Sequence, residues 1–355
     1  MIAKRPSIPG NVVATAGDPQ RAVALGETPS LPSASSLPGR GAEADPVSPK
    51  QPAAELVRFA LRGALARIRA AEPAALHGDV EGVHRLRTAT RRLRSELSAL
   101  ARLLDPKWRR SLQAALKDLA SDLGGVRDLD ILDQRLRQAA DFLRAGTDTD
   151  SEDSPGETVW ELFGELKQRH DRNTRILEET LRSDRYRDLI ATIEQATADP
   201  PLTAAAQEPC GKVLPGLVAA SWKRLRKRAV ALSPESSEEE FHEVRKRAKQ
   251  ARYTAELIAP ALGLKPREQK QAARYIRLCT AVQDTLGLHQ DAMVAAAEIE
   301  RFLAEHGRGD GRRKDGEELL KHQRQEAREA REQFFKIWKK LDRARSLSWF
   351  ERRLR

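Results

Sequence analysis

Two stretches of this chain each set one histidine and three long cations on a single side of a helical wheel. The first, VHRLRTATRRLRSEL, places His84, Arg87, Arg91 and Arg94 at offsets 0, 3, 7 and 10. The second, FHEVRKRAKQARYTAEL, places His242, Arg245, Lys249 and Arg252 at the same offsets. At about 100° per residue, each set spans an arc of roughly 80°. The opposite faces are apolar, with Leu86, Leu93, Leu97 and Leu100 matched by Val244, Ala251, Ala255 and Ile258. A solvated helix face mixes acids with bases, whereas these stripes are almost purely cationic. Helix positions three or four apart lie about 5–6 Å from one another, so a stripe can engage successive charges of a polyanion. Arginine offers phosphate a planar pair of donors, and lysine a compact point charge. His84 and His242 either donate to such an anion, better when protonated, or cap and pack the helix start.

Further cations extend both stripes. Arg92 and Lys246 add charge beside them, and Arg127 follows a Leu-Gly turn. Tyr253 lies within the second stripe, where its hydroxyl can serve phosphate or its ring the core. In the run from Trp222 to Arg228, Lys223, Arg224, Arg226, Lys227 and Arg228 encircle a helix. Lys223, Arg226 and Lys227 are the candidates there, and the rest read as surface charge. Asp128 and Asp291 each follow a Leu-Gly turn and read as partners of arginines or as helix caps. Carboxylates are too scattered for a metal site, so no metal or other cofactor is expected.

Composition narrows the class of partner. A net charge of +11 favours nucleic acid, an acidic membrane surface or a phosphate polymer, without choosing among them. Cys210 and Cys279 are the only cysteines, which argues against a disulfide scaffold and fits a reducing cytoplasm. No run approaches the roughly 18 apolar residues of a membrane span. Lys4 and Arg5 precede a short apolar stretch that Pro9, Gly10 and Asn11 interrupt, so no export signal is expected. Phosphate-loop, HExxH and GxSxG signatures are missing.

The elements that must carry the stripes are helices. Residues 1–50 hold eight of the nineteen prolines and no periodic apolar face, the composition of a disordered tail. Helical periodicity predicts segments at 53–71, then from Asp79 or Glu81 to 104, 108–123, 127–143, 158–181 and 185–196. Gly124-Gly125 is read as a helix stop, as is the acidic loop at 146–156. After Asp199-Pro200-Pro201 the plan repeats, with helices at 214–231, 239–261, 266–286 (ended by Gly287), 291–306 and a final one to 341. That last helix carries Phe334, Phe335, Ile337, Trp338 and Leu341, an apolar face for its own bundle or for a second copy. LGGVRDLDIL aligns with LGLHQDAMVA, setting Asp128 against Asp291. The expected fold is therefore all-α: two pseudo-symmetric antiparallel helical bundles forming one domain around a basic central cleft or pore. Its halves cover about 51–200 and 205–345, and 346–355 is read as a tail.

These separated pieces resemble the CHAD family, the conserved histidine α-helical domain. The resemblance rests on the H-x-x-R-x-x-x-R-R-x-R helix at His84, the L-G-x-V-R-D segment at Leu123, the S-P turn at Ser233 and H-x-x-R-K-x-x-K-x-x-R-Y at His242. It covers residues 51–345. It implies a basic central surface that binds inorganic polyphosphate, without catalysis by the domain itself. It also implies a basic residue before each Leu-Gly segment, which Lys117 supplies in the first half. The second half has Thr280 there, with Arg277 one turn earlier as a substitute, and Gln250 stands opposite Arg92. The resulting expectation is a cytoplasmic, non-enzymatic polyphosphate binder, associated with polyphosphate granules. A nucleic-acid-binding helical protein is the alternative, weakened because only Trp222 and Tyr253 among a sparse set of aromatics sit near basic clusters. Hydrolysis or transfer of polyphosphate is a third reading. Oligomeric state is not legible.

Overall fold

Helix caps and apolar stripes set the frame. The computed structural model of the protein describes residues 47–146, 157–306, 310–351 and 353. The described residues form ten α-helices, with no strand among them. The acidic loop, and the proline-rich tail up to residue 46, lie outside them. Helix α1 spans Ala53–Leu76, α2 Val80–Ala99, α3 Pro106–Gly146, α4 Glu157–Arg182 and α5 Asp184–Ala198. The second part comprises α6 Cys210–Ala229, α7 Glu238–Ile258, α8 Pro266–His306, α9 Asp310–Leu341 and α10 Ala344–Glu351.

Both stripe helices begin with side-chain caps. Asp79 accepts from the Gly82 backbone N–H at 2.6 Å, which starts α2. Ser237 and Glu240 form a reciprocal capping box at the start of α7. Each histidine therefore stands five residues into its helix rather than at the end, so neither is a cap.

The predicted stops at Gly124-Gly125 and Gly287 are overturned, since α3 and α8 are continuous helices of 41 residues each. A glycine inside a helix costs about 1 kcal/mol relative to alanine, and here the absent side chains make room for polar neighbours. Asn173 donates its side-chain N–H to the Gly125 carbonyl at 2.9 Å. A Cβ at Gly287 would lie 3.2 Å from Nη2 of Arg245. These glycines also mark where each long helix passes from one core into another. Leu116, Leu119 and Leu123 of α3, with Tyr275, Val282 and Leu286 of α8, belong to a main core shared with α1, α2, α6 and α7. Leu129, Leu132 and Leu136, with Ala295, Ile299 and Phe302, belong to a second core with α4 and α9.

The main core takes side chains from both sides of the Pro200-Pro201 turn, so the halves share one interior. Backbone bonds also join them: Ala53 N–H to Glu208 O at 2.9 Å, and Thr203 N–H to Leu103 O at 3.0 Å. Residues 47–51 belong with this body, since Gly211 and Cys210 donate to the carbonyls of Pro49 and Gln51. The tail read at 346–355 is corrected over its first part. Helix α10 buries Trp349 and Phe350 completely beside Tyr275, because two large rings outweigh the polar residues around them. The apolar face of α9 packs on its own chain, with Phe334 and Leu341 fully buried.

Helices α1 and α2 cross so closely that a Cβ at Gly82 would lie 2.6 Å from backbone atoms of Ala74 and Ala75. Gly82→Ala is accordingly expected to destabilise the fold by roughly 1–3 kcal/mol, against its favourable helix propensity. Urea unfolding checks this, and an unchanged midpoint would contradict the close crossing.

Candidate functional site: a cation cluster shared by two helices

Helices α2 and α7 lie side by side with their stripes adjoining. Gln250 donates to the Ser95 carbonyl at 2.8 Å, and Arg92 reaches Glu256 at 3.6 Å. The Tyr253 hydroxyl of α7 lies close enough to Arg91 of α2 to act on its charge. Because both helices point their apolar faces into one core, their remaining faces converge, and the cations of each are pressed against those of the other.

Lys249 is the measure of this crowding. Burial comes first, then the charges of Arg91 and Arg87 from α2 and of Arg245 and Arg252 from α7. Together they push its ammonium down to about 6. Among the described residues no carboxylate lies within salt-bridge distance of Lys249, Arg91, Arg94 or Arg245. Arg91 is itself held below its ordinary range by burial and by Arg87 and Arg245, with the Tyr253 hydroxyl opposing. The Nε–H groups of Arg91, Arg245 and Arg252 are buried and donate to nothing in the protein. Unmet buried donors of this kind are uncommon in folded proteins.

The two histidines sit in equivalent surroundings. His84 is pushed below its ordinary value by burial, then by Arg127, Arg91 and Arg87, with Glu81 opposing. His242 is pushed down by burial, then by Lys246, Arg245 and Lys249, with the neighbouring Gln290 side chain opposing. In both rings Nδ1 is buried without a hydrogen-bond partner. Gln290 escaped the sequence reading, although the internal alignment sets it opposite Arg127. Each histidine thus meets the residue just before the aspartate of its own Leu-Gly segment. Those aspartates also correspond: Arg87 donates to Asp128 at 2.7 Å, while Asp291 is half-buried near Arg245 and is pushed up by its burial.

With that geometry in place, comparison with known proteins becomes specific. The CHAD domain family model matches residues 59–300. The chain belongs to the CHAD family. Two solved structures share the CHAD fold at 21% identity. PptA from Streptomyces chartreusis has a TM-score of 0.65, covering 81% of this chain and all of that one. The CHAD domain from the plant Ricinus communis has a TM-score of 0.64, covering 85% and 97%. Two uncharacterized proteins of Mycobacterium tuberculosis are each 28% identical over 273 residues, 74% of this chain. The chain spans about half the length of these curated relatives, 48% of each.

The remaining expected site residues of this CHAD domain are placed unevenly. Arg127 is half-buried beside His84, with Asp130 at 3.7 Å. Arg252 has Glu256 at 3.7 Å and lies over the Tyr253 ring at 4.5 Å. Lys246 is exposed and paired with Glu243 at 3.1 Å. Arg92 turns out of the stripe, bonding Glu96 at 2.9 Å and Glu256, so its charge is already met. Lys117, Lys223, Lys227 and Arg277 are exposed, and the charges acting most strongly on the histidines and Lys249 come from other residues. Arg226 is engaged by Asp342 at 2.7 Å. Trp222 is buried and stacked on Trp338, so it is no platform for a base. Tyr253 is 3% exposed, which leaves its ring to the arginines around it. Among the described residues no acidic or histidine group forms a metal site, and no helix is long and apolar enough to cross a membrane.

Proposed function

We propose that this protein binds inorganic polyphosphate, without catalysis, in a basic cleft walled by α2 and α7. The observation that carries this is a set of half-buried cations without a carboxylate partner among the described residues: Arg91, Arg245 and Lys249, supplied by two helices. Burying charge without a partner is unfavourable. An anion threaded between the helices supplies what the fold withholds, and a chain of phosphates meets both stripes at once. His84 and His242 add donors along the same line, with Arg87, Arg94, Arg127 and Arg252 around them. Membership of the CHAD family supports polyphosphate as the anion. The matched features of the halves support reading them as two pseudo-symmetric bundles about the cleft: equal long helices, paired histidines and paired arginine–aspartate sets. On this reading the protein works in the cytoplasm, at polyphosphate granules where these form.

The test is competition. Purified protein is expected to bind long-chain polyphosphate at near-physiological salt, and duplex or single-stranded nucleic acid at equal phosphate concentration is expected not to displace it. Incubation with magnesium is expected to release no orthophosphate. Displacement by nucleic acid, or phosphate release lost on substituting His84 or His242, would replace this reading with one of its rivals.

A further inference from the structure

A second binding site opens beside the cluster, between α3 and α4. Its cavity of about 540 Å³ is lined by Val80, Arg127, Asp130, Phe163, Gly164, Lys167 and His170, among others. That volume suits a small molecule. Leu129, Leu166 and Phe163 give it an apolar floor, each less than a tenth exposed. Two cations line it without being fully engaged. Lys167 is exposed and has no carboxylate partner among the described residues, and the Nε–H of Arg127 is buried without an acceptor. Asp130 binds His170 through Oδ1 at 3.0 Å, while its buried Oδ2 accepts no hydrogen bond and has only the Arg127 guanidinium 3.7 Å away.

Gly164 points the same way. It stands inside the continuous helix α4 at a cost of about 1 kcal/mol, and no described neighbour requires its bareness. A Cβ built there would meet nothing within 4 Å. What the missing side chain preserves is open volume in the cavity wall.

We propose that this cavity binds a nucleotide. A flat heterocycle fits the apolar floor, and its N–H groups, or a ribose hydroxyl, supply the hydrogen bond that Asp130 Oδ2 lacks. The phosphates are met by Lys167 and Arg127. Since Arg127 is also the charge that acts most strongly on His84, the phosphate tail emerges at the histidine end of the α2 stripe. The cavity needs no polyphosphate at the stripe, so the two readings stand separately.

Calorimetric titration of the whole chain with ATP and with inorganic tripolyphosphate tests the site. ATP is expected to bind, and Gly164→Leu, which fills the cavity from an unobstructed position, to weaken it at least tenfold. Lys167→Ala, an exposed change that leaves folding alone, is expected to weaken ATP severalfold. Both variants are expected to keep native affinity for long-chain polyphosphate. No ATP binding by the native chain would overturn the proposal. So would ATP binding that ignores Gly164→Leu but vanishes when Arg91, Arg245 and Lys249 become alanine, because the stripe would then be holding ATP as a mere polyanion. Tripolyphosphate bound as tightly as ATP, with the same response to Gly164→Leu, would remove the heterocycle from the argument and overturn it too.

Discussion

Alanine at Arg87, Arg91, Arg245 and Lys249 together is expected to weaken polyphosphate binding by on the order of 10²-fold or more, with the helical fold kept. Each hydrogen bond to a charged group contributes roughly 1.5–3 kcal/mol. Four contacts that share one ligand are not additive, and even half the lower sum, about 3 kcal/mol, exceeds two decades. The salt dependence sharpens the test. Each lost phosphate contact removes about one unit from the log–log slope of affinity against salt, by analogy with nucleic acids. A variant that lost affinity by unfolding would show no such graded change across single and multiple substitutions.

The same residues carry an opposite effect on stability. Two like charges about 6 Å apart repel by roughly 3 kcal/mol at an effective dielectric near 20, and Lys249 faces four arginines. Its amine also lacks any carboxylate to compensate burial. Lys249→Met keeps the length and spares folding both that repulsion and the loss of the proton by which the lysine escapes it, so the unliganded protein should melt at a higher temperature while binding polyphosphate less tightly. A scaffold lysine would behave otherwise, since both quantities would fall together. Unchanged affinity in the fourfold variant would remove the cluster from function altogether.

How far the sequence could be read follows from what kind of force fixes each feature. Helix periodicity is local, so the stripes at His84 and His242, their apolar backs and the Asp79 start were legible. The stops at Gly124-Gly125 and Gly287 were misread because glycine propensity is a weak preference that tertiary contacts override. Asn173 lies 48 residues from Gly125, and Arg245 42 residues from Gly287, too far for any local rule to pair them. Arg92 illustrates the limit of wheel arithmetic. It adjoins the stripe in sequence, yet one step around the helix turns it towards Glu96 and Glu256. The basic run on α6 was overrated for the same reason, as Trp222 is pulled into the core and its charged neighbours are left outside. Asp130 with His170, and the cavity they line, depend on α3 meeting α4 and left no sequence signal.

Proton linkage gives the second large effect: polyphosphate affinity is expected to fall steadily as pH rises above about 6. In the free protein Lys249 is pushed down to about 6 by burial and by the arginines facing it from both helices. It is therefore largely uncharged near neutrality, and a bound anion draws it back towards the ordinary lysine range. The complex then holds more protons than the free protein at every pH between those two values. Affinity must fall with rising pH across that window, by up to roughly tenfold per unit. Below about 6 Lys249 is charged in both states and contributes no further slope. His84 and His242, both lowered in the free protein, take over there and extend the gain in affinity towards lower pH. Titration calorimetry at pH 7.5, in buffers of different ionisation enthalpy, should register uptake of about one proton per bound Lys249 site. Lys249→Met should abolish that uptake while leaving the histidine-linked rise at lower pH. Zero uptake by the native protein, or affinity climbing with pH, would mean that the crowded cations never meet the anion.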